Sequence, residues 1–586
     1  MLVSYMAASL WFTWPFLASG ANLGVDDWDA ILFHHAAVLK TVYEYGQLPF
    51  WGPWYCGGDV LWQNPQVPLV TSTYAFALVM PVAAAMKVTV LLHYAVGFVG
   101  MHYLVCRVMK RKWLPAAVFF SSLFTLAGAP AFHLAAGHGT FLPYFYLPWA
   151  ILCLISSIDT GRLSLAAGVA AIIALMIYAG GVIVAIMTSV GVGCFCMAAA
   201  LTRRDWRPLA ILGVIGALAL LFAAPKLVPM AAFVSDPRLV PGRAFPLLPD
   251  VMRPAMVEHA FLDPYQFRRM GFPGQLYGWH EYGNYIGSLG VLSIASSFIW
   301  LAMSGPFSRS KWMGVSLAAT AIALFAVMIG DLGPYAPYRL LRRLPLLSEF
   351  RLPSRYTLVF LAFAVPMAAW VTGAVVADHD LPPALRRLTA TLLILAAMGL
   401  GLRTRVQMVG VFPLSPLDST FRLLSRPGAP SIDADAEAFG PDSPMLRALG
   451  ANRAVANCNE PLRLPGAIRP ERPVVFSDDP VTISQIVFTP NRIQFGAVSP
   501  WPARVFLNQR YVRGWTSSVG SLSLDAETGL AYVSVPADTA TRIDVTFTPP
   551  GIVSGVVLFV GGIVAAAALW RRRLGPAQTS AGPSLV

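Results

Sequence analysis

Long apolar runs separated by short polar stretches dominate the pattern along this chain. The runs are about 17–23 residues long, enough to cross a bilayer as helices. They fall at residues 2–20, 88–109, 114–131, 141–158, 163–178, 182–201, 209–231, 286–303, 313–329, 356–377, 388–402 and 552–570, which makes about twelve predicted spans. The first run lacks a basic flank and a small-residue cleavage site, so it is expected to stay as the first helix. One segment breaks the pattern. Residues 403–551 have few long apolar runs and many turn residues. In "RIDVTFTP", Ile543, Val545 and Phe547 alternate with Arg542, Asp544 and Thr546. "TISQIVF", "ARVFL" and "GLAYVSVP" also read as strands, and "DAETG" (525–529) as a hairpin turn.

The predicted architecture is therefore a polytopic α-helical membrane protein with a small β-sandwich between its last two spans. The units are a membrane domain (1–402) with outer loops 21–87, 232–285 and 330–355, a β domain (403–551), and a final helix with a short tail (552–586). Composition agrees: of 586 residues, 56% are hydrophobic and 12% charged, about half the charge of a soluble domain. Basic clusters set the orientation. Arg107/Lys110/Arg111/Lys112, Arg203/Arg204/Arg207, Arg309/Lys311, Arg386/Arg387 and Arg571/Arg572/Arg573 all fall on one side of this scheme. By the positive-inside rule that side is cytoplasmic. Both termini are then inside, and the three long loops and the β domain outside. Cys106, Cys153, Cys194 and Cys196 lie in apolar runs. Cys56 and Cys458 lie in outer segments where a disulfide is compatible with the topology.

The outer side carries the candidate chemistry. Asp26, Asp27 and Asp29 follow the first span within four residues. The simplest reading is a helix cap. Downstream, apolar Ile31, Ala36, Val38, Leu39 and Val42 interleave with His34, His35, Lys40 and Glu44, the pattern of a helix lying on a membrane surface. Trp51, Trp54 and Trp62 suit the same interface. Loop 232–285 holds Arg238, Arg243, Arg253, Arg268 and Arg269, and loop 330–355 holds Arg339, Arg342, Arg343, Arg351 and Arg355; neither holds a lysine. Internal pairing explains the first group, which has five acids beside it. The second has only Asp331 and Glu349. A guanidinium fork matches phosphate oxygens, so Arg351 and Arg355 are candidate phosphate ligands. Lys226, at an outer helix end, either joins them or snorkels. His138 lies between Gly137 and Gly139, where missing side chains permit close backbone approach. Glu281 and Tyr282 lie in "GWHEYGNYIG"; Glu281 either pairs an arginine or faces the aspartates. His34 and His35 are adjacent and point apart on a helix, so they set no metal site. No ligand set demands a metal, and no nucleotide-binding glycine pattern occurs.

The blocks "DDWD…EYGQLPFWGPWYCGGDVLWQNPQ", "AGHGTFLPYFYLPW", "APKLVPM", "EYGNYIG" and "FRLPSR", with "NQRYVRGW" before the final helix, resemble bacterial YfhO-like membrane proteins, within the GT-C class of glycosyltransferases. The resemblance covers most of the chain. It implies transfer of a sugar from a polyprenyl-phosphate donor to a glycan, lipid or protein acceptor at the outer face of the bacterial cytoplasmic membrane. It places a catalytic acid after the first span, at Asp27 or Asp29 with Asp26 beside them, and the residues read above add His138, Lys226, Glu281, Tyr282, Arg351 and Arg355 as candidate substrate contacts. It leaves donor sugar and acceptor open, is compatible with a divalent metal, and implies no nucleic-acid partner. Two other classes use the same residues: a flippase of lipid-linked sugar, and a non-catalytic scaffold of envelope assembly. A flippase places ionisable groups near the bilayer midplane; here they sit at one face.

The orientation has a direct test. A single cysteine placed in the strand-rich segment, in a background without Cys56 and Cys458, should react with a membrane-impermeant thiol reagent in cells with a permeabilised outer membrane. Labelling only after the inner membrane is lysed would reverse the topology.

Overall fold

The computed structural model describes residues 2–18, 27–110, 112–241, 251–252, 254–263, 279–305, 311–344, 347, 352–378, 382–411, 428–433, 444–456, 462–463, 466 and 468–574. Each predicted span coincides with a helix or with two short helices end to end. Among the described residues, eight helices are long and apolar enough to cross a membrane by length and composition. Four others, Leu2–Ala18, Leu163–Tyr178, Gly287–Met303 and Trp312–Met328, are apolar but shorter. The second helix starts earlier than its apolar run suggests, at Val82 directly after Pro81, and takes the buried Lys87 into its first turns. Helix Pro383–Val411 runs past the predicted boundary at residue 402, because nothing before Pro413 breaks it.

The helices pack around one continuous apolar core. Basic helix ends gather at one end of this bundle. Arg107 and Arg203 both pair with Asp159, and the Leu163 amide donates to the Arg572 carbonyl at 3.2 Å. The described parts of loops 21–87, 232–285 and 330–355 and the β domain lie at the other end.

The β domain is a sandwich of two four-stranded sheets. One has the order Ser523–Leu524, Ala531–Val535, Ala503–Leu507, Val475–Phe476; the other Trp515–Ser517, Thr541–Phe547, Arg492–Val498, Thr482–Thr489. Alternation sets the inner faces: Ile543, Val545 and Phe547 meet Val505, Leu507, Val533 and Val535, while Asp544 faces outward and pairs with Arg492. The predicted turn at 525–529 closes as a hairpin loop, with Gly529 at φ +69°.

The first outer loop departs from expectation. Helix Trp28–Tyr45 does not lie on a membrane surface: fourteen of its residues, Trp28 through Thr41, are buried. Its polar positions are covered by other parts of the chain. Lys40 pairs with Glu44 at 2.5 Å, both side chains nearly fully buried. The His35 ring bonds the Ile31 carbonyl, and His34 sits near Lys226. The tryptophans are likewise internal rather than interfacial. Trp51 enters the sandwich core against Trp515 and Phe547, at ring distances of 5.4 and 5.2 Å, and its indole donates to Gln509. Trp54 donates to Asn452. The reason is that the β domain and its approach segment cover the loop, which sequence periodicity alone does not reveal. Cys56 is disulfide-bonded, beside the bridge between Tyr55 and Val455; Cys458 lies outside the described residues.

Asp29 belongs to this covering. It is 2% exposed, and its two oxygens accept the Met445 and Leu446 amides at 3.2 and 3.3 Å, at the start of helix Pro444–Gly450. Burial pushes its pKa up, to about 7, against the two amide bonds and nearby Arg447, which lower it. A carboxyl held more protonated in the folded state contributes stability below its unfolded pKa and loses it as pH rises toward the folded value. The window is therefore about pH 4 to 7. Asp29→Asn, which stays neutral, should lack that loss. Melting in detergent at pH 4.5 and 7.5 should show wild type losing on the order of 2–4 kcal/mol relative to the variant across the window. Parallel pH curves would show that Asp29 does not titrate there.

Candidate active site

At the end of the bundle opposite the basic helix ends, four separated segments converge. Residue 27 precedes helix Trp28–Tyr45, residues 133–141 run from the last turn of helix Gly128–Ala135 through a turn into 3-10 helix Gly139–Tyr146, residues 279–286 lead into helix Gly287–Met303, and Arg355 precedes helix Tyr356–Asp378. Glycine makes the first junction. Gly137 has φ +77°, and a Cβ there would lie 2.3 Å from the Trp28 nitrogen and 2.6 Å from the Asp27 carbonyl carbon. Only glycine permits that approach. The Asp27 amide donates to the Ala136 carbonyl, and the Trp28 indole to the Leu134 carbonyl at 2.7 Å. The second junction is polar backbone: the Gly128 amide donates to the Tyr285 carbonyl, and the Ala129 amide to Asn284 Oδ1.

These junctions bring a chain of polar groups together. Asp27 has a side chain 53% exposed, with an oxygen 3.5 Å from His138 Nε2. His138 Nδ1 lies 2.9 Å from His133 Nδ1. The His133 ring stacks on Phe141, with centroids 4.1 Å apart and planes at 5°. Glu281 is buried and takes two bonds from Arg355, Nε to Oε2 at 2.7 Å and Nη2 to Oε1 at 2.5 Å. Arg355 also covers Phe141, and the His280 ring meets the His138 ring edge-on at 5.2 Å. Burial alone would raise the Glu281 pKa. The Arg355 charge and hydrogen bonds, with His138 and His133, outweigh it and hold the carboxyl well below the usual carboxylate range.

Beside this polar chain lies an apolar cavity of about 470 Å³. Phe261, Ile286, Ile294, Phe298, Phe325 and Phe360 are among its walls, and none of its lining residues is polar. Ile286 follows Glu281 by five residues and Phe360 follows Arg355 by five, so the ion pair sits on the same two segments that wall the cavity.

The predicted site residues divide accordingly. Asp27, His138, Glu281 and Arg355 come together. Asp29, two residues from Asp27, is buried under Pro444–Gly450 and does not share its exposure. Lys226 is 0% exposed and donates to the Val67 carbonyl, so it neither snorkels nor reaches this cluster among its described contacts. Tyr282 is fully buried in the helix core. Glu281 pairs an arginine rather than facing the aspartates openly, and this pairing supplies Arg355 with an acid from the other loop. Asp26 and Arg351 lie outside the described residues. Sequence reading missed His133, which ends an apolar run and reads there as part of a span. Its signal was the spacing of two histidines across "FHLAAGHG".

No family model matches this chain, and no curated protein does. Among solved structures it is similar to the arabinofuranosyltransferase AftD from Mycobacteria, at 16% identity and a TM-score of 0.45, over 70% of this chain and 27% of that one. It is also similar to the arabinosyltransferase EmbB from Mycobacterium smegmatis, at 13% identity and a TM-score of 0.26, over 93% of this chain and 62% of that one. The chain thus spans about a quarter of the first and under two thirds of the second. Likeness at this level leaves the fold to rest on the helices and sheets described above.

The Glu281–Arg355 pair is tightly coupled to the packing of two helices. Removing one partner strands the other charge in a buried setting, which costs about 3 kcal/mol or more. Glu281→Gln and Arg355→Met should each lower the melting temperature in detergent, while the double variant should lose clearly less than the sum. Additive losses would show that the pair is not energetically coupled.

Proposed function

We propose that this protein is a GT-C-type glycosyltransferase of the cytoplasmic membrane. It moves a sugar from a polyprenyl-phosphate donor to an envelope glycan, lipid or protein at the outer face. The observation that carries this reading is that Arg355 and Glu281 stand on the same two segments whose Phe360 and Ile286 wall an all-apolar cavity. A lipid phosphate needs both at once: cationic donors for its head and an unhydrated channel for its chain.

In this reading the acceptor hydroxyl approaches Asp27, the exposed acid of the cluster. Its oxygen bonds to the anomeric carbon while its proton passes to the Asp27 carboxylate. The bond from that carbon to the phosphate oxygen breaks, and the electron pair leaves with the lipid phosphate. Positive charge around the leaving oxygen, from Arg355 and from Arg351 four residues before it, stabilises the transition state. The polyprenyl chain occupies the cavity walled by Phe261, Ile294 and Phe360. Asp29 holds the outer segment in place instead of taking the proton. The sandwich covers the first loop, and the basic helix ends face the cytoplasm with both termini.

Asp27→Asn should lower sugar transfer by about 10²–10⁴, with the melting temperature and donor binding close to the parent. Ile294→Trp, which fills the cavity, should raise the donor KM with little change in kcat. Purified variants assayed with radiolabelled polyprenyl-phosphate sugars and crude envelope acceptors decide both. Near-parental transfer by Asp27→Asn would remove the catalytic role of that acid.

A further inference from the structure

His133, His138 and Glu281 come from three separate segments, yet one ligand atom from each lies within 4.8 Å of the others. We infer that these three side chains form a binding site for a divalent first-row transition cation at the outer end of the bundle. The inference deepens the glycosyltransferase reading, since the cation would face the same cluster, but it stands on the ligand geometry.

The histidine pair is the core of the argument. Its two Nδ1 atoms are 2.9 Å apart. Two imidazole nitrogens bound at about 2.05 Å lie about 2.9 Å apart when they occupy neighbouring corners of an octahedron, and about 3.3 Å apart in a tetrahedron. The contact is a hydrogen bond between the two rings, and a cation replacing its shared proton would find the two nitrogens already at the octahedral spacing. Two imidazoles and one carboxylate on one face are a set that first-row cations take while keeping open positions for other ligands. A Glu281 oxygen lies within 4.8 Å of both nitrogens, and taking the third corner would exchange one of its two bonds from Arg355 for the ion.

The surroundings hold each ligand as a metal site requires. His133 is 2% exposed and is fixed flat against Phe141. Glu281 is buried and is placed by its two bonds from Arg355. His138 presents Nδ1 to the pair and turns Nε2 toward Asp27 at 3.5 Å. A carboxylate on the far nitrogen of a ligating histidine fixes the ring and raises its basicity. The guanidinium of Arg355 opposes a second positive charge nearby. An anionic group on an open corner offsets that repulsion, so a phosphate-bearing ligand and the cation should favour each other.

The test uses full-length protein in detergent without any sugar donor, so its outcome is independent of transfer activity. Equilibrium dialysis against Co²⁺, with metal counted by mass spectrometry, should give one ion per chain. His138→Ala and Glu281→Gln should each weaken binding at least about tenfold, and added pyrophosphate should strengthen it in the wild type. A wild-type measurement guards against misfolded variants: Co²⁺ should protect His138 from carbethoxylation by diethyl pyrocarbonate. No stoichiometric Co²⁺ in the wild type, or equal binding by His138→Ala, would overturn the site. Unprotected His138 in the presence of bound Co²⁺ would also overturn it, since the ion would then lie elsewhere.

Discussion

The structure turns on the burial of the first outer loop. Helix Trp28–Tyr45 and the stretch after it carry carboxylates, imidazoles, amides and indoles into the interior. A buried polar group without a partner costs several times what a typical hydrogen bond contributes. Each therefore constrains another part of the chain. Asp29 fixes helix Pro444–Gly450, Trp51 fixes Gln509 and the sandwich core, and Trp54 fixes Asn452. Trp62 and Gln63 reach the carbonyls of Pro225 and Pro229. In the first of these contacts a proline creates the vacancy. Pro229 has no amide hydrogen to offer the Pro225 carbonyl one turn back, and the indole supplies it.

This arrangement explains why the blocks that drew attention in the sequence occur where they do. They are the two sides of these contacts. The aspartate motif meets the glycine–histidine turn through Gly137. The tryptophan-rich stretch meets "NQRYVRGW" through Trp51, Gln509 and the Gly57–Arg510 backbone bond. "EYGNYIG" and "FRLPSR" meet through Glu281 and Arg355. The candidate site forms where the first and last of these junctions share one corner.

Much of the membrane domain was legible because a bilayer demands long apolar runs and the strands demand strict alternation. The hairpin at 525–529 and the inward faces of Ile543, Val545 and Phe547 were readable for the same reason. The site was legible in part. Asp27, His138, Glu281 and Arg355 stood out as polar groups at one face, and they do converge. Their grouping with Asp29 and Lys226 failed because period and composition locate residues along an element but not beneath another one. Asp29 is two residues from Asp27 on the chain, yet a helix more than four hundred residues later covers only one of them. His133 was hidden by its apolar neighbours, which made the polar end of helix Gly128–Ala135 look like the end of a span.

The long reach of the first loop also bears on how the chain is made. The partners of Trp51, Trp54 and Asp29 lie at residues 445–547. A nascent chain completes this loop early and its partners late. Until then the loop is a polar and aromatic segment without its cover, facing water and lipid together. Contacts of such high sequence separation form slowly. The early membrane helices thus wait with the stretch from Trp28 to Gln66 uncovered until residues 445–547 have been made.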